Sequence, residues 1–296
     1  PSTGLPQANR EADGMTELFL SGVDREAMRA LAFFRYMTVK QFIRAGVARD
    51  EKNLRKRLDI LRRARLIARV EKNKSGGIGL PCLHFLTKNG VKLLNEHGDI
   101  GILATETSRN TVSLNDVAHR VGVVDMHIAF ESWATATRTR IYEVQRYFEG
   151  KAQGNAKAPL AATALSWGAG DGWEAGKLIP DMMAVYQRRA DSEPRGIILE
   201  YERGGQWGTH KHFLSKLEFY ENSVRAEAPE EHLRVNKGVR IAVVCSSEDM
   251  MNTILAKFPR KTDPLWEGRL FFKSREKLDN FAASWKTVLG IDTNLF

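Results

Sequence analysis

Apolar residues recur at helical spacing through the first third of the chain, and the polar breaks between them divide that third into separate elements. From Asp24, read as an N-cap, Met28, Leu31, Ala32 and Phe34 line one face of a first helix. Thr38 opens a second helix with Val39, Phe42 and Ile43 inward, and Gly46 stops it. Asp50 or Asn53 starts a third, Lys52–Arg65, in which Leu54, Leu58 and Leu61 fall at i, i+4 and i+7. Leu66–Val70 reads as a strand, Asn73–Gly77 as a turn, Leu83–Leu86 as the returning strand, and Thr87 begins a helix through Leu94. Three helices, a glycine-tipped hairpin and a closing helix predict a winged helix over residues 15–104, preceded by a loose polar arm at 1–14. In that fold the third helix enters the major groove and the wing lies along the DNA backbone.

The pattern changes after a polar stretch, Thr105–Thr111, read as a linker. Ser113 or Asn115 caps a long helix to about Ala136, with Val117, Val121, Val124, Ile128 and Trp133 inward. Strands follow at Arg140–Phe148, Lys177–Gln187 and Gly196–Arg203, with a Gly/Ala-rich excursion at Gly150–Gly176 and a proline kinking the second strand. A helix over 208–224, a strand Val239–Cys245, a helix over 248–257, a strand Leu270–Lys273 and a last helix over 275–285 complete the pattern. The fold class is therefore mixed α/β (α+β). The second domain, residues 112–296, runs αβββαβ before a further αβα.

Charge sharpens the picture of the first domain. Between Asp24 and Lys74 there are 16 Lys plus Arg against six Asp plus Glu, so this segment carries the whole of the net +9. Lys52, Arg55, Lys56, Arg57, Arg62 and Arg63 cover the third helix, and Lys72 and Lys74 sit on the wing. Cations at those places neutralise phosphates, which implies strong, salt-sensitive binding of double-stranded DNA. No apolar run approaches the roughly 20 residues that cross a bilayer, and no signal-peptide core is present, so a cytoplasmic protein without membrane insertion is expected. Cys82 and Cys245 are too few and too far apart for a zinc framework and read as inert thiols.

Candidate chemistry lies in the second domain. Along Gly196–Arg203, Ile198, Glu200 and Glu202 face one way while Leu199 and Tyr201 face the other. Two carboxylates on one face of an apolar strand are costly to bury without a counter-charge. Asp181, on the neighbouring strand of a hairpin, brings a third acid to the same place, where a hard divalent cation is a natural partner. Lys211 and Lys216 lie on the next helix, within reach of developing charge. His119 and His127, eight apart on the long helix, lack metal-pair spacing and read as surface or satisfied core residues.

Pro180-Asp181 followed by Glu200-Tyr201-Glu202 resembles the PD-(D/E)XK pattern of restriction-endonuclease-like nucleases. With the preceding winged helix, the chain is similar over residues 24–225 to the plasmid replication-relaxation family and to the MobC class of mobilisation relaxases. The matching parts are His119 on its helix, Ile179-Pro180-Asp181, Leu199–Gly204, Lys216 and Tyr220. The resemblance implies a DNA relaxase or nickase of a mobile element. Such an enzyme cuts one strand at an origin of transfer or replication, assisted by Mg²⁺ or Mn²⁺ on Asp181, Glu200 and Glu202. Origin DNA and relaxosome accessory or coupling proteins are the partners it implies. No cluster like that of the histidine-triad relaxases is present.

One departure stands out, because the nuclease pattern has Lys where this chain has Glu202. Lys216 substitutes for it more readily than Lys211, or the extra acid binds metal, or catalysis is lost. In the last case the chain is a non-catalytic replication or transcription factor on a nuclease-like scaffold. A tyrosine nucleophile stays open, with Tyr142, Tyr147, Tyr186, Tyr201 and Tyr220 all in this domain. A homodimer on a palindrome also stays open, though no heptad run imposes one.

Overall fold

The computed structural model describes residues 20–70, 81–96, 114–148, 150–151, 160–170, 174–189, 191, 193–203, 210–236, 238–259 and 263–296. The expected arm, wing tip and linker, with Lys72 and Lys74, lie outside them. The first unit runs α1 (Gly22–Phe34), α2 (Val39–Arg44), α3 (Glu51–Arg63), β1 (Ile67–Val70), β2 (Leu83–Leu86) and α4 (Lys88–Glu96), with β1 and β2 antiparallel. This is the element order expected of a winged helix.

Local chemistry sets each helix start. Asp24 is not the cap of α1: Ser21 is, and Asp24 at N3 closes a capping box with it. The helix gains a turn because Ser21 offers its hydroxyl to the backbone N–H of Asp24 while Asp24 reaches back to Ser21. Both Asp24 oxygens also accept from Arg57, which fastens α3 to α1 through a buried carboxylate. Thr38 and Gln41 close a second capping box at α2, and Asp50 caps α3. Gly46 ends the α2 turn with φ 75°, a left-handed backbone that favours glycine. Leu54, Leu58 and Leu61 are all buried, each worth about 1.5–3 kcal/mol of burial.

The second unit runs α5 (Leu114–Thr137), β3 (Arg140–Arg146), β4 (Gly150–Lys151), β5 (Leu160–Ala161), β6 (Leu165–Trp167), β7 (Gly176–Leu178), β8 (Met182–Gln187) and β9 (Arg195–Glu202). It continues with α6 (His210–Arg225), α7 (Ala228–Leu233), β10 (Arg240–Cys245), α8 (Glu248–Lys257), β11 (Leu270–Ser274), β12 (Trp285–Thr287) and β13 (Asp292–Thr293). Seven strands form one mixed sheet in the order β13-β12-β11-β10-β9-β8-β3. β9, β10 and β11 are parallel and the other pairs antiparallel. Phe213, Leu217 and Tyr220 of α6 pack with Met251 and Ile254 of α8 over Ile198, Ile241 and Val243. Val123, Met126 and Phe130 of α5 cover Leu199, Tyr201 and Val244 on the opposite face. Val124 and Ile128, on the other side of α5, join the core of the first unit. One helix thus serves two cores.

Three expectations change. Lys177–Gln187 is not one strand: Gly176–Leu178 pairs with β6, and only Met182–Gln187 joins the sheet. Pro180, which has no N–H to donate, falls at the break, where Thr163 donates to its carbonyl. The excursion itself folds back as the short β4–β5 and β6–β7 hairpins. The last helix over 275–285 is absent, replaced by a 3-10 turn at Arg275–Lys277 and the strands β12 and β13. The cause is Lys273, buried among apolar groups, whose ammonium collects the carbonyls of Asn280, Phe281 and Ala283. Carbonyls turned onto a cation cannot continue an i→i−4 ladder. Helix α7 was not foreseen, although Pro229 in its first turn, followed by Glu230 and Glu231, is a helix-start signature.

Gly122 of α5 faces the Tyr201 ring so closely that a Cβ there would overlap it. Gly122→Ala is expected to cost about 1–3 kcal/mol in denaturant unfolding. Gly22→Ala, at a position with open space, is expected to be neutral or slightly stabilising. Equal effects of the two would contradict this packing.

Candidate functional site

The antiparallel register of β8 and β9 sets Met182 opposite Leu199, so Asp181, one residue earlier, comes beside Glu200. Both carboxyls are buried, with side chains 6% and 3% exposed. Asp181 Oδ1 lies 2.8 Å from His119 Nε2, and its Oδ2 accepts from the Tyr201 N–H at 2.7 Å. Glu200 Oε2 accepts from Lys216 Nζ at 3.3 Å, and its Oε1 accepts from the Tyr220 hydroxyl. Lys216 and Tyr220 are one turn apart on α6, and His119 comes from α5, so helices on both faces of the sheet reach the pair. His119 and Lys216 each remain about a quarter exposed.

The two acids differ in protonation. Burial alone would raise Asp181, but the charge and hydrogen bond of His119, the charge of Lys216 and the Tyr201 N–H outweigh it and hold the carboxyl below its ordinary range. Burial and then the charge of Asp181 push Glu200 up to about 8, against the pull of Lys216. The negative charge of Glu200, opposed by burial, keeps Lys216 above the usual lysine range. The pair therefore holds a proton that two free carboxylates would not share.

Glu202, two residues along the same strand face, is also buried and adds to the field at Lys216. Among the described residues no group of three His, Cys, Asp or Glu side chains is arranged to hold a metal. The structure thus brings together Asp181, Glu200 and Lys216, and sets Glu202 further along. Lys211 lies on α6, with its side chain outside the described part. Of the tyrosines, Tyr186 and Tyr220 are fully buried, Tyr201 nearly so, Tyr142 is exposed, and Tyr147 stands edge-on to His119. His127 is a satisfied core residue against the Phe33 and Phe34 rings, bonded to Glu131 and Arg146. Cys245 is buried and Cys82 half-buried, both as free thiols.

On α3, Lys52, Lys56 and Arg63 point away from the leucine core into solvent, while Arg55 and Arg62 flank them beside Glu51 and Asp59. Arg57 is occupied by Asp24. One group escaped the sequence reading: Asp125, on α5, accepts from Gln41 and Arg44 of α2 and from Arg275 after β11. Arg275 lies 150 residues from Asp125, and no local spacing signals such a pairing.

A basic helical unit followed by a mixed sheet with a buried carboxylate pair, held by a lysine and a histidine, defines the class of this mixed α/β protein. The replication-relaxation family model matches residues 28–239, and the chain belongs to that family. No curated protein and no solved structure matches it significantly. Membership ties the chain to the replication or relaxation of plasmid-type DNA. No helix among the described residues is long and apolar enough to cross a membrane.

The proton on Glu200 has a thermodynamic signature. Between pH 4.5 and about 8 the folded chain retains a proton that the unfolded chain has lost, so this group's stabilisation is complete below 4.5 and is lost as pH rises through 8. With EDTA present, the wild-type unfolding midpoint is expected to decline over that window more steeply than that of Glu200→Gln. Parallel curves would place the proton elsewhere.

Proposed function

We propose that the chain is a DNA relaxase or nickase, with residues 15–104 selecting an origin in double-stranded DNA and residues 112–296 making a metal-assisted strand cut. The supporting observation is the Asp181–Glu200 pair on adjacent antiparallel strands, with Lys216 on Glu200 and His119 on Asp181, in a member of the replication-relaxation family. With the β4–β7 hairpins and the short α7 set aside, the elements around the pair run α5-β3-β8-β9-α6-β10, which supports an αβββαβ, restriction-endonuclease-like reading. Lys216 stands in this reading for the lysine displaced by Glu202.

Mg²⁺ or Mn²⁺ fits the donor chemistry of the pair. Its oxygens are hard ligands, and the proton that burial and the charge of Asp181 favour at Glu200 is one that a dication would replace. Asp181 and Glu200 would hold the ion, with Glu202 the nearest further acid along the strand. When bound, it supplies Lewis-acid polarisation of the phosphodiester and a more acidic attacking water. The chain's own groups do the rest. His119 and the Tyr201 N–H fix the orientation of Asp181, and Tyr220 anchors the far oxygen of Glu200. Lys216, charged and partly exposed beside Glu200, would offset charge developing on a bound phosphate. Tyr220 is too deeply buried to serve as a nucleophile.

The rival reading, a DNA-binding regulator on a nuclease-like scaffold, draws on one observation: among the described residues the acids form a pair and not a three-ligand set. Supercoiled plasmid carrying the element's own origin separates the two. With Mg²⁺ or Mn²⁺ the wild type is expected to yield open-circular product, and with EDTA none. Asp181→Ala and Glu200→Ala are expected to abolish nicking, and Lys216→Ala to slow it by about 10²–10³-fold. Undiminished nicking by both acid variants would overturn the site. Tight, salt-sensitive binding with no nick in any metal would favour the regulator.

A further inference from the structure

A cleft of about 910 Å³ opens between the first unit and the sheet, on the α5 side. Its rim carries Lys40, Arg55 and Arg69 from the helical unit, with Arg203 and Arg275 from the ends of β9 and β11. With Arg44, six cations thus face two lining acids, Asp59 and Asp125. Arg44 and Arg275 offset the charge of Asp125. Between the cations the walls are apolar, formed by Val39, Leu58, Pro81, Ala118 and Val121. Tyr201 lies at the floor. Its backbone N–H holds Asp181, and its ring lies 5.8 Å from that of His119, so the floor of the cleft adjoins the acid pair.

Those features choose among polyanions. One turn of duplex runs about 34–36 Å, and its base faces are stacked inside the helix. It cannot enter a ligand-sized cavity, and its base faces are not available to apolar walls. An unpaired strand presents phosphates to guanidinium groups and base faces to apolar walls at the same time. Lys52, Lys56 and Arg63 of α3 do not line the cleft, although Arg55 and Asp59 of the same helix do, so duplex and single strand would meet largely different cations. We propose that this cleft is a binding site for single-stranded DNA, with Lys40, Arg55, Arg69 and Arg203 on its phosphates. The inference deepens the nickase reading and rests on it: an origin held as duplex by α3 passes one unpaired strand along the cleft toward Asp181.

The test is fluorescence polarisation with the full chain, using a short mixed-sequence single strand and the matching duplex, across a salt series in EDTA. The double variant Lys40→Ala/Arg203→Ala is expected to weaken single-strand binding by about tenfold or more. It is also expected to lower the slope of log K against log salt by about 1.4, since each single-strand phosphate contributes about 0.7. Duplex affinity should stay within about twofold of wild type. Lys56→Ala/Arg63→Ala should do the reverse, and unchanged melting temperatures show that both variants fold. The proposal is overturned if the wild type binds no single strand, or if both double variants weaken both probes alike. Metal-dependent nicking without single-strand binding would sink the cleft and leave the nickase standing. Cleft binding with no nicking would uphold the cleft and sink the nickase.

Discussion

Two carboxylates side by side in a protein interior repel each other and lose their hydration, and the second unit is arranged around that constraint. Asp181 and Glu200 sit on adjacent strands covered on both faces, where an unpaired charge costs several kcal/mol. Each face of the sheet supplies part of the compensation: His119 comes from α5 on one side, Lys216 and Tyr220 from α6 on the other. The compensation is incomplete, because Glu200 retains a proton.

The same helix that brings His119 to the acids also joins the two units. Val124 and Ile128 of α5 enter the core of the first unit while Val123 and Phe130 enter that of the sheet. Between them Asp125 gathers Gln41 and Arg44 from α2 and Arg275 from beyond β11. A buried carboxylate bound from three elements allows little relative movement, since separating them would strand a charge away from water. The spacing between the α3 surface and the acid pair is therefore a property of the fold, and the basic cleft lies in the gap that this spacing leaves.

Much of this was legible before any coordinates. The leucine repeat of α3, the strand Leu83–Leu86, the helix Glu248–Lys257 and the alternation along β9 are all local patterns, set by side chains three, four or two positions apart. The pairing of Asp181 with Glu200 was legible too, because a hairpin brings together residues close in sequence, and Lys216 and Tyr220 came in as matching parts of the family resemblance. Local reading failed where a distant group decided the outcome. Residues 275–285 carry a helical pattern, yet a buried Lys273 turns their carbonyls inward. Lys177–Gln187 reads as one strand, yet its first residues find a better partner in β6.

The sequence by itself determined the element order of the first unit, the basic surface of α3 and the identity of the acids, since each depends on short-range periodicity, capping or charge density. Only the tertiary structure decided which cations meet those acids. His119 is 62 positions from Asp181, and Arg275 is 150 positions from Asp125. Which side chain offsets a buried charge is set by how helices and strands pack, and packing joins residues that no local pattern relates.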